Sequence, residues 1–405
     1  MADVLGELEK RGYIEQLTHS DEIRDLLAKE EGVPFYFGID PTADSIHVGH
    51  FVSLMVASLL QKAGHKPIIL LGGGTAVIGD PSMKTDMRKM LSREELDENV
   101  VKIKKQVEKF VSFEGENTAV IVNNADWLLD LRYLQFLREI GVHFSVNKML
   151  AADCYKNRLE TGLTFFEMGY MLMQSYDFLY LHDKYGCKLE IGGNDQWSNI
   201  IGGVELIRKI GAEDSYGLTF KLLTTKEGKK MGKTEKGALW LDSEKTSPYE
   251  FYQYWRNIAD DDVKNVMMML TFLPIEEIEE LTKYKDERMN EAKKVLAFEV
   301  TKLVHGEEAA KGAEEAAGAM FGNGGNVENM PTTKVSENMG IVDAIVAAGF
   351  VDSKGQAKKL IEQGAISLND NKIGDIQYVS SKEDFEKDGY AILKKGKKNF
   401  NKLVL

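Results

Sequence analysis

"PFYFGIDPTADSIHVGHFVSLMVASLLQKAGHKPIILLGG", residues 34–73, sets the architecture of this chain. It opens on a short apolar run, 34–40, that stops at Gly38 and Asp40-Pro41. From about His47 the apolar residues recur at helical spacing. A second apolar run, "KPIILLGG" at 66–73, ends in glycines. Strand, helix and strand in that order, with few polar residues inside either strand, predict a βαβ unit of a buried parallel sheet. Working outward, "TAVIVNN" at 118–124 reads as a third strand, and the stretch 93–112 between them is helical. A long helix is predicted over 164–184. A strand, "KLEIGG", and a further helix from about 195 follow it.

Residues 248–320 show helical periodicity only, which predicts a helical subdomain. "FGNGGNVENMPTT", 321–333, reads as a linker. Beyond it, 334–405 carries two short helices, "IVDAIVAAG" and "KGQAKKLIEQG". Two hairpins, "AISLNDNKI" and "YAILKKGKKNFNKLVL", close a small α+β domain. The expected organisation is therefore an α/β, Rossmann-like domain over 1–247, then the helical subdomain, the linker and the α+β domain.

At 405 residues and 43% hydrophobic, the chain has ample material for such cores, and global disorder is excluded. Its net charge is −13, which argues against a general nucleic-acid coat. That charge is uneven. Residues 334–405 hold twelve lysines, no arginine and ten acids, so the tail is mildly basic on an acidic body. Cys154 and Cys187 have no metal-ligand spacing, so a reduced, cytoplasmic setting is expected. The start, "MADVLGELEKRGYIEQL", has no apolar signal core, and no run is long enough for a membrane span.

Five stretches carry candidate chemistry. A strand leading through Asp40-Pro41-Thr42 into a helix start makes an anion site, because free N–H groups and the helix dipole point out of the sheet edge. His47 and His50 flank Gly49 there. Glycine leaves room for a flat ring, and the imidazoles can donate to phosphate or ribose oxygens. Alone, the pair is equally compatible with capping histidines, and no third ligand with metal spacing is evident. "KMGKTEKG", 230–237, places Lys230 and Lys233 around a glycine, suited to folding over a triphosphate or simply to water. "GDPSMKTDMR", 79–88, puts Asp80 at a strand end, with Lys84 and Arg88 four apart. In "YMLMQSYD", 170–177, Tyr170, Gln174 and Asp177 form one polar stripe on an apolar helix, costly to bury unless it binds something. "EIGGNDQWSNI", 190–200, ends a strand in two glycines and offers Asn194, Asp195 and Gln196, as ligand groups or as caps.

Taken in this order, the five closely resemble the bacterial tyrosyl-tRNA synthetases, of class I. "HVGH" resembles the HIGH signature and "KMGKT" the KMSKS signature. "YFGIDPTADSIHVGH", "YMLMQSYD" and "GGNDQW" resemble the tyrosine branch. The tail resembles the alpha-L RNA-binding module.

The resemblance implies a tyrosine–tRNA ligase with L-tyrosine, ATP and tRNA(Tyr) as partners. Mg²⁺ would arrive with ATP, with no protein-bound metal, and the protein would be a homodimer. It implies that Tyr36 and Asp177 hold the phenol hydroxyl, that Tyr170, Gln174 and Asp80 hold the ammonium, and that Gln196 lies near the carboxylate. Asp195, Gly192, Asp40 and Gly49 fall to the nucleotide. Thr42, His47 and His50 fall to the phosphates and nucleotide end, and Lys84, Arg88, Lys230, Lys233 and Thr234 to mobile segments over the triphosphate. Lys354, Lys358, Lys359, Lys394, Lys395, Lys397 and Lys398 are the expected tRNA contacts, and Phe165 and Phe166 the expected interface aromatics. Two positions depart from the family pattern. Met83 stands where relatives usually have glycine, and Gly232 where the broad signature has serine.

Overall fold

The computed structural model describes residues 3–82, 91–234, 237–319, 331–369, 371–385, 389–396 and 399–405. The chain gathers into two compact units. One holds residues up to 246 together with 258–296, and the other holds 247–257 with 297–405. The helices of the predicted helical subdomain are thus shared between them.

The first unit is built on a six-stranded sheet in the order β1-β6-β5-β2-β3-β4. Its strands are β1 (Ile14–Leu17), β2 (Pro34–Ile39), β3 (Lys66–Leu71), β4 (Val120–Asn123), β5 (Leu189–Gly193) and β6 (Tyr216–Phe220). All neighbours are parallel except β1, which runs antiparallel to β6 at the edge. The runs at 34–40, 66–73, 118–124 and 188–193 are strands, as their apolar content predicts. β1 and β6 are additional. "IEQL" is short and half polar, and "YGLTF" holds a glycine, so neither shows a strand pattern by itself.

β2 is central, and the chain path makes it decisive. From β2 the chain winds outward through β3 and β4, then crosses back to β5 and β6 on the other side. The strand order therefore reverses between β2 and β5. Ligands in open α/β sheets bind at the carboxyl ends beside such a reversal, where loops diverge and leave a crevice.

The helix Val48–Lys62 follows β2 and buries Phe51, Val52, Leu54, Met55 and Leu59. It is apolar around much of its circumference because it is covered on two sides, by the sheet and by the helix Asp260–Leu270. The carboxyl end of that second helix is tied down by Arg11, whose guanidinium donates to the carbonyls of Met268, Thr271 and Leu273. Tyr13 donates to the Met269 carbonyl at 2.6 Å. These side chains satisfy carbonyls that a helix end leaves open. They also bind 258–296 to the sheet unit.

In the second unit, β9 (Thr332–Lys334), β10 (Ile366–Leu368), β11 (Asn371–Lys372), β12 (Tyr390–Lys395) and β13 (Asn399–Val404) form a sheet in the order β11-β10-β12-β13-β9. Only β13–β9 is parallel. The helices Ile341–Ala347 and Lys354–Glu362 cover it, burying Ile345, Ile361, Ile366, Leu368, Leu393 and Leu403 in a core drawn wholly from 335–403. This is the α+β module predicted for the tail. Among the described residues no helix is long and apolar enough to cross a membrane.

Candidate active site

A cleft of about 530 Å³ opens at the carboxyl ends of the sheet, beside the reversal between β2 and β5. β2 contributes Tyr36, and Asp40 with Thr42 follow it. The next helix start gives His47, Gly49 and His50, the loop after β3 gives Asp80, and the end of β5 gives Gly192, Asp195 and Gln196. The helix Phe165–Tyr185 turns Tyr170, Gln174 and Asp177 inward, and Lys230 lies at the mouth. Five separated sequence stretches thus meet in one crevice.

His47 is the N-cap of its helix, and its Nδ1 accepts from the Gly49 N–H at 3.0 Å. An accepting Nδ1 leaves the ring proton on Nε2. The imidazole folds back over the backbone, where a Cβ on residue 49 would lie 2.6 Å from its Cε1 and would force the ring to shift. The two imidazoles lie against each other in a tilted pair, with centroids 4.3 Å apart at 33°.

The helix start is also bonded to the lysine-rich loop. The Val48 N–H donates to the Leu239 carbonyl at 3.0 Å, and the Leu239 N–H donates to the Gly232 carbonyl at 2.7 Å. The departure at 232 has a physical reason. Gly232 has φ +81°, and a Cβ there would come within 2.8 Å of Val48 Cβ. We expect Gly232→Ser to strain this turn by about 1–2 kcal/mol. Stopped-flow adenylation should then slow several-fold with the equilibrium affinity for tyrosine unchanged. Lys233 and Thr234 lie in a two-residue strand, β7, paired with β8 (Gly237–Ala238). Lys84 and Arg88 lie outside the described residues.

A hydrogen-bonded network lines the cleft floor. Asp40 accepts from the Thr75 hydroxyl at 2.8 Å and from the Tyr170 hydroxyl at 2.9 Å. Asp80 accepts from the Ser82 N–H at 2.9 Å and from Gln196 Nε2 at 2.7 Å. Asp177 is fully buried, accepting from Trp127 Nε1 at 2.7 Å and Asn124 Nδ2 at 2.9 Å. Burial pushes its carboxyl well above the usual range, and the two donors partly offset that.

Tyr36 is buried opposite, its ring 5.3 Å from that of Phe178. Its hydroxyl has no partner in hydrogen-bond geometry. It is nonetheless close enough to Glu190 that the two perturb each other's ionisation. Trp127, Asn124, Thr75 and Glu190 escaped the sequence reading. One signal for Glu190 was visible, a carboxylate inside the otherwise apolar "KLEIGG". The others act through side chains that meet only once β4 and the long helix are packed together.

The lysines of the tail divide by face. On β12 and β13, Lys394 lies over the Phe400 ring at 5.4 Å and Lys402 over Tyr390 at 4.5 Å, on the side opposite the buried Ala391, Leu393 and Leu403. Lys395 faces the other way and donates to the Phe350 carbonyl at 3.0 Å. Lys354, Lys358 and Lys359 are exposed on the helix Lys354–Glu362, with Lys354 paired to Asp343. Lys397 and Lys398 lie outside the described residues. Among the described residues no cluster of three or more His, Cys, Asp or Glu side chains has metal-binding geometry.

Residues 28–322 match the family model of the class I tRNA synthetases of the tryptophan and tyrosine type, which defines the class. Residues 324–403 match the model of the tyrosine–tRNA ligase SYY-like C-terminal domain. The tyrosine–tRNA ligase 1 of Clostridium acetobutylicum is 56% identical over 408 residues, covering 100% of both chains. The tyrosine–tRNA ligase of Acetivibrio thermocellus is 57% identical over 410 residues, again with full coverage of both. A C-terminally truncated mitochondrial tyrosyl-tRNA synthetase of Aspergillus nidulans aligns with a TM-score of 0.71 at 29% identity, over 79% of this chain and 95% of that one. The chain belongs to the tyrosine–tRNA ligase family.

Proposed function

We propose that this cleft binds L-tyrosine and ATP, forms tyrosyl-adenylate with release of pyrophosphate, and passes the tyrosyl group to the 3′ end of tRNA(Tyr). The observation that carries this reading is the floor of the cleft. A buried carboxylate, Asp177, and a buried phenol hydroxyl, Tyr36, face one space. Such a pair suits a ligand with a hydroxyl at the end of an aromatic ring. An indole offers only a donor N–H, so tryptophan would leave the Tyr36 hydroxyl unmatched.

The ammonium group has an acceptor set nearby. Tyr170 spends its proton on Asp40, so its oxygen turns lone pairs to the cleft. Asp80 and the carbonyl oxygen of Gln174 complete the set. The substrate carboxylate is already a nucleophile, and attack on the α-phosphate needs no general base. Acceleration then comes from alignment and from donors placed where negative charge grows. Those donors are the two histidines and the lysines at 230 and 233, beside the positive end of the Val48–Lys62 helix dipole. Mg²⁺ enters as part of the ATP substrate.

The basic-aromatic face of β12 and β13 suits a phosphate backbone, and the helix Lys354–Glu362 adds to it. Tyr133, Leu134, Val142, Phe165 and Phe166 are large apolar side chains left exposed, which supports a homodimer with a site in each protomer. Tyrosine-dependent ATP–pyrophosphate exchange tests the central reading. Exchange with tyrosine and not with tryptophan or phenylalanine is expected, and exchange driven by tryptophan would refute it.

A further inference from the structure

Glu190 stands under the proposed tyrosine pocket, at the point where the sheet order reverses. It is the register partner of Tyr36 across the β2–β5 pair. It is buried, and its Oε1 accepts from Gln174 Nε2 at 2.9 Å. Its Oε2 has no hydrogen-bond partner and lies over Gly203, where a Cβ would approach within 3.4 Å. Gln174 Oε1 and the Tyr36 hydroxyl also lack partners. Three buried polar atoms thus gather around one pocket without a partner in hydrogen-bond geometry, two of them, on Tyr36 and Glu190, close to one another. Such atoms are costly unless a ligand or a neighbour uses them.

A carboxylate only accepts hydrogen bonds. While Glu190 is ionised, Gln174 must turn its NH₂ toward Glu190 and its carbonyl oxygen away. That oxygen suits an ammonium group, whereas the flipped amide would aim two N–H bonds at a cation. We propose that Glu190 is the positioning residue of the tyrosine site. By accepting from Gln174 it fixes the amide orientation that receives the substrate ammonium, so tyrosine affinity depends on the negative charge of Glu190. The proposal rests on the reading of Gln174 as an ammonium ligand.

The charge is poised to change. Burial raises the Glu190 carboxyl to about 7, against the bond from Gln174 and the nearby Tyr36 hydroxyl, which lower it. The titratable groups facing it are Tyr36 on β2, Asp177 on the long helix and Cys187 just before β5, each of which it pushes upward. Below neutrality the protonated carboxyl can donate to Gln174 Oε1, and the amide is free to flip. Above neutrality the productive orientation is enforced.

The test uses the full-length protein and measures the tyrosine dissociation constant from pH 5.5 to 8.5, with kcat and KM for adenylation. Wild type should bind tyrosine several-fold more tightly at pH 8 than at pH 6. Glu190→Gln should bind about tenfold more weakly at pH 8, with a flat pH profile and kcat changed far less than KM. Glu190→Ala should show the same loss of pH dependence and serves if the first variant folds poorly.

A stability readout separates positioning from scaffolding. A carboxyl near 4.5 unfolded and about 7 folded contributes stability fully present below 4.5 and lost as pH rises through 7. Glu190→Gln should therefore unfold at a higher temperature than wild type at pH 8. Tyrosine binding equal to wild type with the same pH profile would overturn the proposal. Gln174→Ala with unchanged tyrosine affinity would instead overturn the reading of Gln174 itself.

Discussion

Asp177→Ala lowers kcat/KM for tyrosine activation by roughly a hundredfold or more. The carboxylate holds Trp127 Nε1 and Asn124 Nδ2. Its removal leaves both buried donors unmatched and takes away the acceptor proposed for the substrate hydroxyl. The loss of a charged, buried acceptor costs about 3 kcal/mol, and each 1.4 kcal/mol or so is tenfold. The fold should survive. Burial raises the Asp177 carboxyl, so the native state binds a proton more tightly than the unfolded chain does. Its contribution to stability is largest at low pH and lost as pH rises, so at pH 8 relief from burying the charge offsets part of the cost of the two unmatched donors. Pyrophosphate exchange with tyrosine and with phenylalanine, beside a thermal melt, measures all three quantities. Near-normal exchange with the preference for tyrosine intact would show that the hydroxyl is read elsewhere.

Ending the chain near Asn323 should separate the two half-reactions. Exchange with tyrosine should stay within about twofold of the full chain, since the residues placed in the cleft precede position 240. Charging of tRNA should fall roughly a hundredfold or more at physiological salt, because phosphate contacts dominate such affinity. The truncation cuts the second unit but removes whole the apolar core that the tail draws from 335–403. Charging by the full chain should also weaken steeply with added salt. A truncated protein that charges tRNA normally would remove the tail from tRNA recognition.

Much of this architecture was legible in the sequence, for identifiable reasons. β2 and β3 are covered on both faces, so they read as unbroken apolar runs. Tyr170, Gln174 and Asp177 stood out because three polar groups at one helical spacing are conspicuous among Met171, Leu172, Met173 and Phe178. β1 and β6 did not stand out. They are short, and their strand character comes from pairing with each other and with β5. The supporting layer was the least visible. Asn124 and Trp127 follow β4, some fifty positions from Asp177. No local pattern links them, because the bond exists only after the sheet and the long helix have packed. The significance of Gly232 was equally hidden, since its constraint is the side chain of Val48.

That last contact makes two distant motifs a single part. The histidine helix start and the lysine loop lie some 180 positions apart, yet Val48, Leu239 and Gly232 form consecutive rungs of one backbone ladder. The helix start and the turn that carries Lys230 are therefore indexed to each other, like two jaws cut from one block. A displacement of either jaw is transmitted through two hydrogen bonds without any side chain as intermediary. Alignment around the proposed phosphate site is thus written in main-chain atoms, and among the rung residues it is Gly232 whose identity is held, by its φ of +81° and by the side chain of Val48.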